Sequence, residues 1–150
     1  MDQYLICHYG ADILSSLGME QSRKYIQHGN TSVYNHSVSV ARMCLMIARG
    51  LHLSVDEQAL VRGALLHDYF LYDWHVKDTH HRWHGFNHPM KALNNAQRDF
   101  QISEVEADMI ACHMFPLTLK APTYLESWIL CGADKICSVR ETLSRKGRIT

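Results

Sequence analysis

Two capping boxes constrain this chain more than any other local feature. Ser54-Val55-Asp56-Glu57 and Ser103-Glu104-Val105-Glu106 each place a serine three residues ahead of a glutamate and lead into an apolar run. In such a box the hydroxyl accepts from the N–H three residues on, and the glutamate reaches back to the serine N–H. Each box is therefore a helix start. Apolar residues recur at spacings of three and four along most of the chain, and no alternating strand pattern of useful length occurs. The expected fold is all-α, a compact helical bundle of about six to seven helices, and 150 residues suit one domain over 1–150.

The periodicity predicts helices over 3–17, weakened at Gly10, and over 19–28. Asn30, Thr31 and Ser32 are cap candidates for a long helix over 33–51, with Val40, Cys44, Ile47, Ala48 and Leu51 on one stripe. Ser54 as N-cap opens a helix to about 69 that ends in Gly63-Ala64-Leu65-Leu66-His67-Asp68. Residues 70–87 break the period and read as a structured loop. Pro89 suits the first turn of a helix over 88–100. The box at Ser103 opens a helix to about 114, Pro116 and Pro122 bracket a loop, and the last helix covers 122–145.

Charge excludes some functions. The 15 basic and 15 acidic residues cancel, which argues against a broad interface with duplex nucleic acid or an anionic membrane. No apolar stretch approaches the ~18 residues of a membrane span. Asp2 stands at the start without an early apolar run, so the expected location is cytoplasmic. The five cysteines are odd in number and form no CxxC, as expected of reduced thiols packed as small hydrophobes.

Eleven histidines stand out, and their positions matter more than their number. His36 lies beside the apolar stripe of its helix, His67 and Asp68 end an apolar helix, His113 ends another, and Asp134 follows Trp128-Ile129-Leu130-Cys131-Gly132-Ala133. Polar groups facing a core are costly unless satisfied. Helical bundles place metal sites in their interiors from side chains on separate helices. Imidazole and carboxylate together suit Mn, Fe, Ni, Co or Zn, and Mg among harder ions. A carboxylate has two oxygens and can serve two ions, so Asp68 is the natural shared ligand of a two-metal site.

The order His36, His67-Asp68, His88, His113, Asp134 resembles the HD-domain superfamily of metal-dependent phosphohydrolases, with a motif-bearing core at about 33–137 and the 1–32 helices packed on it. The resemblance implies that His36, His67, Asp68 and Asp134 hold one divalent ion. Asp68 would bridge to a second held by His88 and His113. It implies a small phosphorylated substrate, a nucleotide included, attacked by a hydroxide held between the two ions. Asp68 would be catalytic as well as a ligand, with Asp73 or a histidine handling protons. The chain departs from the HD-GYP pattern: Tyr69-Phe70-Leu71-Tyr72-Asp73-Trp74 follows the His-Asp pair and no Gly-Tyr-Pro occurs, so cyclic di-GMP is a poor substrate.

Lys77, Arg82, His84 and Lys91, with Lys135 beside Asp134, are the candidates for contacting the phosphate. His84 is four residues from His88 and is an alternative ligand. A di-iron oxygenase with the same ligand set, and a non-catalytic metal- or nucleotide-binding domain, are the competing readings. Monomer and homodimer are both open.

Overall fold

The computed structural model describes residues 1–73, 75 and 84–146, with the backbone alone at 84–85 and 145–146. Among these residues eight α-helices and one hairpin follow in chain order: α1 (Asp2–Tyr9), α2 (Ala11–Leu14), α3 (Leu17–Gln21), β1 (Ile26–His28), β2 (Thr31–Ser32), α4 (Val33–Gly50), α5 (Glu57–Leu66), α6 (His84–Asp99), α7 (Glu104–Cys112) and α8 (Leu125–Lys146). The architecture is all-α, as the periodicity predicts. The helix expected over 3–17 is divided at Gly10 into α1 and α2.

The central bundle is a ring of four helices. α4 packs on α5 and α8, and α7 closes the ring against the same two; α6 lies on α7, and α1 lies on α4 and α5. Val40 and Leu45 of α4, Leu60 and Leu65 of α5, Met109 of α7 and Leu130 of α8 are buried together, joined by Ile6 and Ile13 from the N-terminal helices. Burial of each such side chain stabilises the fold by about 1.5–3 kcal/mol. α5 and α7 pack tightly at Gly63, where an added Cβ would lie 2.5 Å from Met109 Sδ and 3.1 Å from its Cβ.

Caps decide the helix ends that position the site. Ser32 caps α4 by accepting from Asn35 N–H at 3.2 Å, and Ser103 caps α7 by accepting from Glu106 N–H at 3.2 Å. Ser54, the expected cap of α5, is displaced by Asp56, whose Oδ1 accepts from Ala59 N–H at 2.9 Å. The reason is tertiary: Glu126 of α8 takes the Asp56 N–H at 2.8 Å and fixes Asp56 at the helix start. α5 also ends at Leu66, earlier than the periodicity suggests.

Three further expectations are corrected. Residues 19–28 are not one helix: α3 stops at Gln21, a 3-10 turn covers Ser22–Lys24, and β1 follows. Ser22 Oγ donates to Met19 O at 2.6 Å, and Gly29, at φ 60° in the turn between β1 and β2, reverses the chain. α6 opens at His84, so Pro89 lies inside it and leaves the Gly85 carbonyl without its intrahelical donor. Leu51, expected on the buried stripe of α4, is 66% exposed because α4 ends at Gly50.

Candidate metal centre

Two helices end at this site in the same way. His67 follows the last residue of α5, and its Nδ1–H donates to Ala64 O at 2.7 Å. His113 follows the last residue of α7, and its Nδ1–H donates to Ile110 O at 2.8 Å. Each bond satisfies a carbonyl that the helix end would orphan and turns Nε2 away from the helix. Both rings are fully buried. His36, in the first turns of α4, is oriented by a carboxylate: its Nδ1 meets Glu141 Oε2 at 2.8 Å. That contact directs His36 Nε2 to Asp134 Oδ1 at 3.0 Å.

Asp68 lies at the centre with its oxygens facing two sides. Oδ2 is 3.7 Å from His36 Nε2 and 3.3 Å from His67 Nε2. Oδ1 is 3.2 Å from His88 Nε2 and 3.4 Å from His113 Nε2. Asp134 Oδ1 adds a contact of 3.6 Å to His67 Nε2, and Ser138 Oγ donates to it at 3.3 Å. All six residues that the sequence singled out as ligands converge here from α4, the end of α5, α6, the end of α7, and α8. They form three overlapping groups of metal-ligand type: His36, His67 and Asp68; His67, His113 and Asp134; Asp68, His88 and His113.

The segment leaving the site is held in place. Asn95 Nδ2 of α6 donates to the carbonyls of Tyr69 at 3.0 Å and Phe70 at 3.2 Å. Phe70 packs edge-on against His88. Leu71 then turns through the left-handed region at φ 60°.

The electrostatics favour a cation. Burial opposes ionisation of Asp68, yet His67 and the imidazoles of His113 and His88 that face it hold it well below the usual carboxylate range. Asp134 is likewise opposed by burial and held well below that range by His36 and His67. Burial lowers His36, but Asp134 and Glu141 outweigh it and push the ring up to about 9. Burial lowers His67 too, and Asp68 and Asp134 raise it well above its ordinary value. His113 is lowered, first by burial and then by its histidine neighbours.

The residues fit a metal on two observations. His67 Nε2 and Asp68 Oδ1 are buried at the centre with no hydrogen-bond partner. An unpaired buried polar atom costs about 1–3 kcal/mol, and a cation facing both removes that cost. His88 and His113 bring their Nε2 atoms to 2.8 Å, a contact that either a proton or a shared cation accounts for.

Two participants lie outside the set of candidate ligands that the sequence singled out. Gln27 of β1 donates from Nε2 to Asp68 Oδ2, and it lies in the stretch that reads as helix. Glu141 is seven residues beyond Asp134, two turns along the same face of α8, and that spacing is the signal that points to it. His28 packs edge-on against His36 at 5.3 Å and lines the same cavity as Gln27.

The phosphate-contact candidates fare differently. Lys77 and Arg82 lie outside the described residues, and of His84 only the backbone, which opens α6, is described. Lys91 places its ammonium 4.7 Å from the Tyr72 ring centroid. Asp73 accepts from His75 N–H at 3.0 Å and does not line the cavity over the cluster. Lys135 does line it.

The HD domain family model matches residues 33–138, more than half of the chain. No curated protein and no solved structure matches the chain. No described helix is long and apolar enough to cross a membrane. With His36, His67-Asp68 and Asp134 inside the matched span, the chain belongs to the HD domain family, a superfamily of metal-dependent phosphohydrolases.

Proposed function

We propose that this chain hydrolyses a phosphate ester of a small molecule with two divalent ions. His36, His67, Asp134 and Asp68 would hold one, and His88, His113 and Asp68 would hold the other. The observation that carries the reading is the division of Asp68, whose two buried oxygens face two separate pairs of imidazole nitrogens. Bound there, divalent ions lower the pKa of a water and neutralise charge developing on a phosphoryl group.

The chain's own groups do the rest. The backbone carbonyls of Ala64 and Ile110 keep Nδ1 protonated on His67 and His113, so Nε2 is the ligand atom. Glu141 does the same for His36. Gln27 holds Asp68 Oδ2 in place. Lys135 reaches the carbonyls of His113 and Cys131 at 3.4 and 3.3 Å, at the cavity wall, and supplies a positive charge for a phosphate oxygen. Which of Mn, Fe, Ni, Co, Zn or Mg serves depends on supply as much as on ligand type.

The test is phosphate release from a panel of monoesters, diesters and nucleotides with Mn²⁺, Ni²⁺ or Co²⁺. The expected result is metal-dependent turnover that Asp68→Ala abolishes. Full activity in Asp68→Ala, or metal binding without turnover on any ester, overturns the reading.

A further inference from the structure

The cluster opens into a cavity of about 730 Å³. That is within the ~300–1,000 Å³ range of sites that enclose a whole small molecule, and a phosphate group would leave most of it unfilled. One end is polar, with Asp68, His88, His113, Asp134 and Gln27. The other end is not: Met114, Pro116 and Leu117 form one wall, and Val139 of α8 faces the same space. A second, smaller hollow of about 250 Å³ shares His28, Ser138 and Val139 with the first and continues to Leu143. The two hollows adjoin along α8, where Ser138 and Val139 line both. Leu117, Val139 and Leu143 are 48%, 58% and 57% exposed, so this wall presents apolar surface to solvent.

Contiguous exposed apolar surface marks a binding site more often than chance. Its occupant must also meet the cluster. Among the described lining residues Lys135 is the one lysine or arginine, placed beside the cluster to meet a phosphate oxygen. Building on the hydrolase reading, we infer that the substrate class is the phosphomonoester of an apolar alcohol or phenol. The phosphate sits at the cluster beside Lys135, and the organic group lies along Met114, Leu117 and Val139. On hydrolysis water adds to phosphorus, the bond from phosphorus to the ester oxygen breaks, and that oxygen leaves with a proton as the free alcohol.

The test uses the full chain loaded with Mn²⁺ and two matched series from ethyl to octyl: n-alkyl phosphates for turnover, and the non-hydrolysable n-alkyl phosphonates for affinity by calorimetry. Affinity and kcat/KM are expected to rise by up to about fourfold for each added methylene until the hollow is filled. Val139→Asp, at an exposed position that folding tolerates, is expected to flatten that rise. Turnover that does not vary with chain length, or a rise that survives Val139→Asp, overturns the substrate class and leaves the hydrolase reading standing. Phosphonate affinity that climbs with chain length while no ester is cleaved overturns the hydrolase reading and keeps the ligand class.

Discussion

His67 and His113 meet edge to face, with ring centroids 5.0 Å apart and planes at 83°. Both rings are placed by the same bond, from Nδ1–H to the carbonyl three residues back at a helix end. The centre is therefore anchored on the rigid ends of α5 and α7, which pack against each other at Gly63 and Met109. Unlike these two rings, His36 depends on a side chain, Glu141, for its orientation at Nδ1.

Glu141→Gln tests that dependence. An amide can face His36 Nδ1 but carries no charge to make the ring a better donor to a cation. Outer partners of metal-ligating histidines are worth about 10–100-fold in metal affinity. A competition titration against a chelator is expected to show a loss in that range with the helical circular dichroism spectrum unchanged. Affinity within twofold of the parent protein would rule out the role.

Gln27→Leu removes the amide that donates to Asp68 Oδ2. Gln27 is buried, and leucine keeps its bulk, so the hairpin is expected to stay folded. Metal affinity is expected to drop by about tenfold, the lower end of the range for outer partners. An equal loss of thermal stability and no change in affinity would make Gln27 a packing residue instead.

Asp108 anchors the start of α8 to α7. Its Oδ2 accepts from Ser127 Oγ at 2.6 Å and Thr123 N–H at 2.9 Å. Burial alone would raise this carboxyl, but those donors outweigh it and hold it below its ordinary value. A depressed carboxyl contributes stability that is present above its unfolded pKa and is lost as pH falls through the folded one. Asp108→Asn is expected to cost about 1.5–3 kcal/mol at neutral pH. Urea unfolding at a series of pH values should show the gap closing below about 4. A gap independent of pH sinks the assignment.

Arg62 is a buried cation that ties α5 to several other segments. Its guanidinium meets Asp12 Oδ1 at 2.6 Å, Glu106 Oε1 at 3.3 Å and the Gln101 carbonyl at 3.3 Å. Arg62→Leu leaves Glu106 buried without its partner. Breaking such a pair costs about 3–5 kcal/mol, and the free energy of unfolding measures it. The double variant Arg62→Leu, Glu106→Leu should recover part of the loss; no recovery would mean that the pair's charge is not what matters.

Cysteine labelling checks the packing. Cys7 is exposed, and Cys44, Cys112, Cys131 and Cys137 are buried, free thiols. Burial pushes Cys44 well above its ordinary value and Cys112 and Cys137 up to about 11, which keeps them as unreactive thiols. One thiol per chain is expected to react rapidly in the folded protein and all five in denaturant. Rapid reaction of a second thiol in the folded state would contradict the packing of α4 against α8.

The sequence by itself determined the helical class, the cap at Ser103 and the residue types of the centre, because these signals are local: a period, a box, an ordered set of histidines and aspartates. It marked Ser54 as the cap of this helix, but the helix is capped by Asp56 two residues on. The carboxylate of Glu126, 70 positions away, chose between them. Gln27 is 41 positions from Asp68, and Glu141 is 105 from His36. No local propensity marks a side chain whose partner is that remote in the chain. Only the closing of α8 against α4 and the turn at Gly29 bring those groups to the candidate ligands. The residue types of the centre, and the expectation that Asp68 serves two sides, were written in the order of residues, whereas the orientation of the rings and the apolar surface beside them were decided by packing.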